Sequence, residues 1–238
     1  NIVVSVAGNI SHEKVTSQVK KFFKFKDGNK AFHFTALEKN SSRERVFLQH
    51  KKTEQAHVVV GFPAYPEEHK DHYVEKVLSV ILGGNMSSRM FLGVREAKGL
   101  AYYIHTTTDD YIDTGIISTR AGVDVKRINL AIQAICEEYK KIRGEKISAQ
   151  ELKKSKEYLK GKFALRLEDS EEFAHLNGKQ ELLHGKIKTP EQIAKEIDAV
   201  TAADIARVSA DLFNEKELRL AVIGPYEKKE EFEKILRI

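Results

Sequence analysis

A chain of 238 residues with 41% hydrophobic and 32% charged side chains can bury a sizeable core and has the balance of an ordinary globular protein. Its net charge of +5 is carried by lysine pairs such as Lys20-Lys21, Lys140-Lys141 and Lys228-Lys229 set among glutamates, which is the pattern of solvated helix faces. With no aromatic-basic stripe and no apolar run near the roughly 18–20 residues that cross a bilayer, neither nucleic acid nor membrane is an expected partner.

The single cysteine, Cys136, excludes an internal disulfide and fits a reducing, cytoplasmic setting. The chain opens on Asn1 rather than Met, as a processed product or an excised piece would. No basic segment precedes its first apolar run, unlike a secretory leader.

Residues 1–26 read as strand, turn and helix. Ile2, Val3, Val4, Val6 and Ala7 make the apolar run, Gly8-Asn9 breaks it, and Ser11 is the N-cap of a helix ending near Phe23. Residues 27–44 have little apolar periodicity and read as a linker. Two strands follow, Arg45–His50 and Gln55–Phe62, the second rich in valine.

A helix is expected from about Glu67 to Leu82, with Tyr73, Val77, Leu78 and Ile81 on one face. The turn Gly83-Gly84-Asn85-Met86-Ser87-Ser88 leads into a short helix from Ser88 to Ala97, stopped at Gly99. Strands Ala101–Thr108 and Thr114–Gly122 are joined by a turn over Asp109–Asp113. The remainder reads as helical: Asp124 to Ile142, one long helix from the capping box at Ser148, and two more from Thr189-Pro190 and Thr201. A last strand, Leu218–Ile223, is followed by Gly224-Pro225 and a terminal helix.

The two ends share one plan. NIVVSVAGNISHEKVTSQVKKFF and ELRLAVIGPYEKKEEFEKIL are each an apolar strand, a glycine turn and a charged amphipathic helix. The simplest account makes residues 1–26 the last unit of a preceding domain and residues 45–238 a second copy of that domain.

Candidate chemistry is sparse. Two histidines four apart on a helix would face one metal, but no two of the nine histidines have that spacing. His69 and His72 are the nearest imitation, on a helix start where histidines are usually solvated. His57 lies in a strand, to be packed neutral or paired with a carboxylate. Cys136 falls on an apolar stripe, as an inert thiol does. Ser87 and Ser88 lack the G-x-S-x-G elbow, and the glycine turn before Arg89 lacks both phosphate-binding consensus patterns.

The stretch GGNMSSRMFLGVREAKGLAY, from Gly83 to Tyr102, resembles the pitrilysin/insulinase zinc metallopeptidases, which include mitochondrial processing peptidase and bacterial zinc proteases. The likeness extends to QAHVVVGFP, LKGKFALRLED, TPEQIAKEIDAVTAADIARVSADLF and LRLAVIGP. In that family a domain bearing H-x-x-E-H is followed by a similar one that has lost it, and this chain is similar to the second.

The resemblance implies an α+β fold: an antiparallel or mixed sheet covered on one side by helices. It implies no catalytic residue and no metal ligand in this chain, with zinc held by a partner domain lying upstream or on a separate chain, in a homo- or hetero-dimer. It implies that Arg95 and Tyr102, from R-x-x-x-G-L-x-Y, bind the backbone carbonyls of an extended peptide and help stabilise the tetrahedral intermediate, with Gly83, Gly84 and Ser87 as a substrate wall. From the residues alone, an arginine in a last helical turn and a strand tyrosine are unremarkable. The other function class is a non-catalytic scaffold subunit of the same family.

Overall fold

The computed structural model describes residues 2–24, 28, 35, 37 and 44–238. These fall into two compact units: a smaller one of residues 1–36 and 160–196, and a larger one of residues 37–159 and 197–238. The linker expected over 27–44 lies largely outside the described residues.

The larger unit is built on a mixed five-stranded sheet. Strands β1 (Val46–His50), β2 (Gln55–Ala64), β3 (Ala101–Asp110), β4 (Gly115–Asp124) and β5 (Arg219–Gly224) lie in the order β1-β5-β2-β4-β3. The β1–β5 pair is parallel and the others antiparallel, so the strand from the far end of the chain is inserted between the first two.

Strand alternation sorts the side chains. Val58, Val60 and Phe62 of β2, Ile117, Ala121 and Val123 of β4, and Leu220 and Val222 of β5 are all buried. Helix α3 (Ile128–Gly144) packs on β2 and β4, and α7 (Ala202–Leu212) packs on β2 and α3. Between helices and sheet, Phe62, Tyr139 and Phe213 form an aromatic cluster with ring centroids 4.9–5.0 Å apart. The apolar stripe Ile128, Ala131, Ile132, Ile135, Tyr139 is buried throughout, as its spacing predicts.

The expected caps recur. Thr201 and Asp204 form a reciprocal capping box on α7. Ser11 accepts from the Lys14 N–H at the start of α1 (His12–Phe22). α6 (Pro190–Ala199) begins at its proline, and a short α8 (Glu230–Ile235) closes the chain.

Four expectations are corrected. Residues 2–7 are not a strand: a strand needs a ladder partner, and the described residues of the smaller unit contain none. Its valines stay largely at the surface, and among the described residues of that unit Ile193 is the sole buried apolar side chain. The helix expected from Glu67 starts later, as α2 (His72–Ser79), because residues 66–72 are held in turns by His69 N–H to Pro66 O and His72 N–H to His69 O.

The single long helix is two, α4 (Ala149–Arg166) and α5 (Ser170–His184), with Asp169 capping the second by accepting from the Glu171 N–H. Last, both helical stretches flanking the glycine-serine turn are wound as π-helix, over Val80–Gly84, with a kink at Gly83 where φ is −159°, and over Phe91–Glu96. No helix among the described residues is long and apolar enough to cross a membrane.

Beneath α2 lies a buried carboxyl. Glu75 is 1% exposed; one oxygen accepts from the Tyr65 N–H at 3.1 Å and the other has no hydrogen-bond partner among the described residues. Burial pushes this carboxyl up to about 7, so the folded chain keeps its proton while the unfolded chain, near 4.5, has lost it. Below pH 4.5 both states are protonated and nothing is lost; between 4.5 and 7 stability falls, and above 7 the loss is complete at about 3 kcal/mol. Glu75→Gln is therefore expected to leave stability at pH 4 unchanged and to raise it at pH 8. Urea midpoints of both proteins across that range check it, and equal slopes would remove Glu75 as the cause.

Candidate functional site

Arg95, Tyr102 and the glycine-serine turn all belong to the larger unit, around the free edge of the sheet formed by β3. The π-helical segment Phe91–Glu96, which carries Arg95, packs on β3 and on α3. The Arg95 guanidinium lies over the ring of Phe91, 4.7 Å from its centroid. Several other arginines of this unit are engaged with carboxylates. Arg89 is bidentate to Glu151 (2.8 and 3.0 Å) and reaches Glu145, Arg207 grips Asp71, and Arg120 pairs with Asp109. Arg95 forms no ion pair among the described residues.

The turn joining Arg95 to Tyr102 is closed on both sides. Gly99 takes the left-handed conformation, φ 57°, and its N–H donates to Arg95 O, while the Leu100 N–H donates to Val94 O. Arg127, at the start of α3, donates to the carbonyls of Lys98 and Gly99, 3.1 Å each. A loop held from inside and outside in this way sets where β3 begins.

Tyr102 sits on an irregularity in β3. Ala101 pairs with Val123 and Tyr103 with Gly122, so Tyr102 is an extra residue with no partner on β4. Ile104 and Thr106 point to the core, and strict alternation would turn Tyr102 inward with them. The bulge turns it out instead: Tyr102 is 61% exposed, and its hydroxyl has no hydrogen-bond partner among the described residues.

The glycine-serine turn is organised by Asn85, whose side-chain oxygen accepts from both the N–H (2.9 Å) and the hydroxyl (2.7 Å) of Ser87. Ser87 is exposed, Gly84 half-buried and Gly83 buried. Gly83 is fitted tightly against β3: a Cβ there would stand 2.2 Å from Thr106 Oγ1 and 2.5 Å from the Thr106 nitrogen. Arg89, with its charge spent on two glutamates, gives the turn no free cation for an anion.

The other sequence candidates are placed elsewhere. His57 lies on the open face of β2, its Nδ1 3.0 Å from the Tyr103 hydroxyl, so its partner is a tyrosine rather than a carboxylate. His69 stacks on Tyr65, centroids 3.9 Å apart, and its Nδ1 receives the Asp71 N–H. Cys136 is buried in α3, and burial pushes its thiol up to about 11, the behaviour of an inert thiol. Among the described residues no group of three or more histidine, cysteine or carboxylate side chains could hold a metal ion.

Sequence reasoning missed Tyr103 and Arg127. Two successive aromatics ahead of the alternating Ile104-x-Thr106 are the signal of a bulge at Tyr102-Tyr103. Arg127 left no comparable trace, since what it holds is backbone.

The larger unit is thus a mixed sheet with helices packed on it, and Arg95 and the bulged Tyr102 stand at its free edge. The model of the peptidase M16 inactive domain matches residues 1–159, and the chain belongs to that family. It is 37% identical over 224 residues to the uncharacterized zinc protease YmxG of Bacillus subtilis, covering 94% of this chain and 54% of that protein. An uncharacterized zinc protease of Streptomyces coelicolor is 31% identical over 236 residues, covering 97% and 51%. The crystal structure of a protease from Helicobacter pylori superposes with a TM-score of 0.80 at 21% identity, over 92% of this chain and 54% of that one. The chain thus spans about half the length of the relatives it matches.

Proposed function

We propose that this chain is the substrate-binding, zinc-less half of a zinc metalloendopeptidase, and that it positions an extended peptide for hydrolysis by a zinc-bearing H-x-x-E-H domain. The observation that carries this reading is the pair at the sheet edge: an arginine with no carboxylate partner and a tyrosine turned outward by a bulge, its hydroxyl unused. Donors held ready on a rigid scaffold suit peptide carbonyls and the oxyanion that forms from them. Ser87 and the glycine turn would stand beside that pair as a wall, with Gly83 acting through packing.

Residues 1–26 would complete the zinc domain, as their likeness to the β5–α8 end of the chain suggests. Val3, Val4 and Val6 lie exposed, with no strand among the described residues of that unit to pair with. The partner domain would lie upstream in the same polypeptide or on a second chain, in a homo- or hetero-dimer.

This chain by itself is expected to retain no stoichiometric zinc after dialysis against a chelator and to cleave no peptide. Joined to its zinc-bearing partner it is expected to do both, measured by atomic absorption and by turnover of a fluorogenic peptide library. Stoichiometric zinc kept by the chain alone would overturn the division of labour. An assembled protein that binds zinc partner and peptide yet cleaves nothing would return the chain to the scaffold class.

A further inference from the structure

We infer that Arg127 is a positioning residue that holds the turn bearing Arg95 in place from the start of α3; this rests on the proposed role of Arg95.

Arg127 stands where local preference disfavours it. It is the N-cap residue of α3, the place where Ser, Thr, Asp or Asn would accept a backbone N–H, and its side chain caps nothing. No acidic residue lies in the first turn of α3, so this cation faces the positive end of the helix dipole unrelieved. A residue that breaks two local rules at once calls for a compensating contact elsewhere in the fold.

That contact is the opposite end of another helical segment. Phe91–Glu96, which carries Arg95, ends before the left-handed Gly99, and beyond such an end the backbone carbonyls have no partner within the helix. Two of them, Lys98 O and Gly99 O, each accept from the Arg127 guanidinium at 3.1 Å. The cation that is misplaced at the start of α3 is therefore well placed at the negative end of the Arg95 segment.

The link to Arg95 is one residue long. Gly99, whose carbonyl Arg127 holds, donates its own N–H to Arg95 O at 3.0 Å. Arg127 is in turn anchored to the sheet. Its N–H donates to Asp124 O at the end of β4, Asp124 Oδ1 accepts from the Lys126 N–H at 2.7 Å, and the adjoining Ile128 is buried. The salt bridge from Lys98 Nζ to Glu137, at 2.8 Å, joins two exposed side chains and leaves the backbone free. Without Arg127 the turn would keep its internal hydrogen bonds but lose its tie to the corner between β4 and α3, and the end that bears Arg95 would fray.

The test replaces Arg127 with Ser, which can cap α3 but cannot reach the two carbonyls. In the enzyme assembled with its zinc domain, Arg127→Ser should lower kcat about three- to tenfold with KM little changed. Its urea midpoint should be no lower than the parent's, because the new cap offsets the lost bonds. The kcat loss should vanish in an Arg95→Ala background, where no guanidinium is left to aim. A midpoint that falls with activity, an equal kcat loss in both backgrounds, or no loss in a parent that depends on Arg95 would each overturn the inference and leave the role of Arg95 standing.

If Arg95→Ala itself leaves kcat unchanged, the proposed function fails, and the placement is still decided by amide exchange. In this chain alone, the N–H groups of Gly99 and Leu100, which close the turn on Arg95 and Val94, should exchange about tenfold faster in Arg127→Ser, with the amides of β2 and α7 unmoved. Unchanged exchange at Gly99 and Leu100 overturns the positioning role.

Discussion

Replacing Tyr102 with Phe, or Arg95 with Ala, in the enzyme assembled with its zinc domain is expected to lower kcat about a hundredfold while changing unfolding free energy by no more than about 0.5 kcal/mol. The split follows from where the two side chains lie. Tyr102 is 61% exposed and its hydroxyl bonds nothing in the described structure, so removing one oxygen costs the fold nothing. Arg95 contributes a guanidinium stacked on Phe91 and no ion pair, so its removal costs at most one surface cation–π contact. Donors aimed at developing negative charge act mainly in the transition state, so the effect should appear in kcat rather than in KM. Arg95→Lys should recover little, because a point charge cannot reproduce the planar fork. Steady-state kinetics beside thermal unfolding decide it: full turnover in both variants removes the pair from the mechanism, and equal losses of activity and stability make it structural.

Gly83→Ala is expected to cost about 3 kcal/mol or more of stability, the largest effect of any single methyl in this protein's candidate site. The backbone of the π-helical turn runs so close to β3 that the added Cβ would collide with Thr106, at distances no side-chain rotation relieves. Thr106 is the first member of a buried hydroxyl chain, its Oγ1 2.7 Å from Thr119 Oγ1, which is 2.7 Å from the Tyr139 hydroxyl. Burial raises the Tyr139 phenol well above its usual range, so these hydroxyls stay neutral. Moving Thr106 would break one buried hydrogen bond and disturb the aromatic cluster around Tyr139 as well. Urea denaturation gives the answer directly. A midpoint unchanged by Gly83→Ala would mean that the turn can swing away from β3, and the glycine would then be free to serve only as a wall of the site.

How much of this was legible beforehand depended on the range of the interaction. Helix caps such as Ser11 and Thr201, the valine-rich β2 and the stripe on α3 are local, spanning a few residues, and each was read at nearly its true position. The start of α2 was misread because Glu67 to Lys70 look helical by composition, whereas His69 is engaged with Tyr65 and Asp71. The same Asp71, at the helix start, gives its carboxylate to Arg207 of α7 at 2.6 and 2.8 Å instead of capping α2, a partner far along the chain. The division of the long helix at Asp169 was hidden by unbroken helix-forming residues on both sides.

For the site, the family resemblance carried by R-x-x-x-G-L-x-Y points to Arg95 and Tyr102, and Gly99 adopts the left-handed turn that its position after a helix predicts. What spacing does not carry is direction. Whether Tyr102 faces the core or solvent is a matter of strand parity, and parity changes with a single inserted residue.

Sequence by itself determined most elements of the larger unit and the face of each that is buried, because local propensity and periodicity need only near neighbours; the family entered through the resemblance of the Gly83–Tyr102 block. Tertiary structure alone decided that β5 enters between β1 and β2, that the two helical stretches beside the glycine turn wind as π-helix against β3, and that Tyr102 is turned outward. Each of these rests on contacts between residues distant in the chain, Leu220 with Val46 and Val60, Gly83 with Thr106, Ala101 with Val123 and Tyr103 with Gly122, and such pairs leave no period in the sequence for a reader to find.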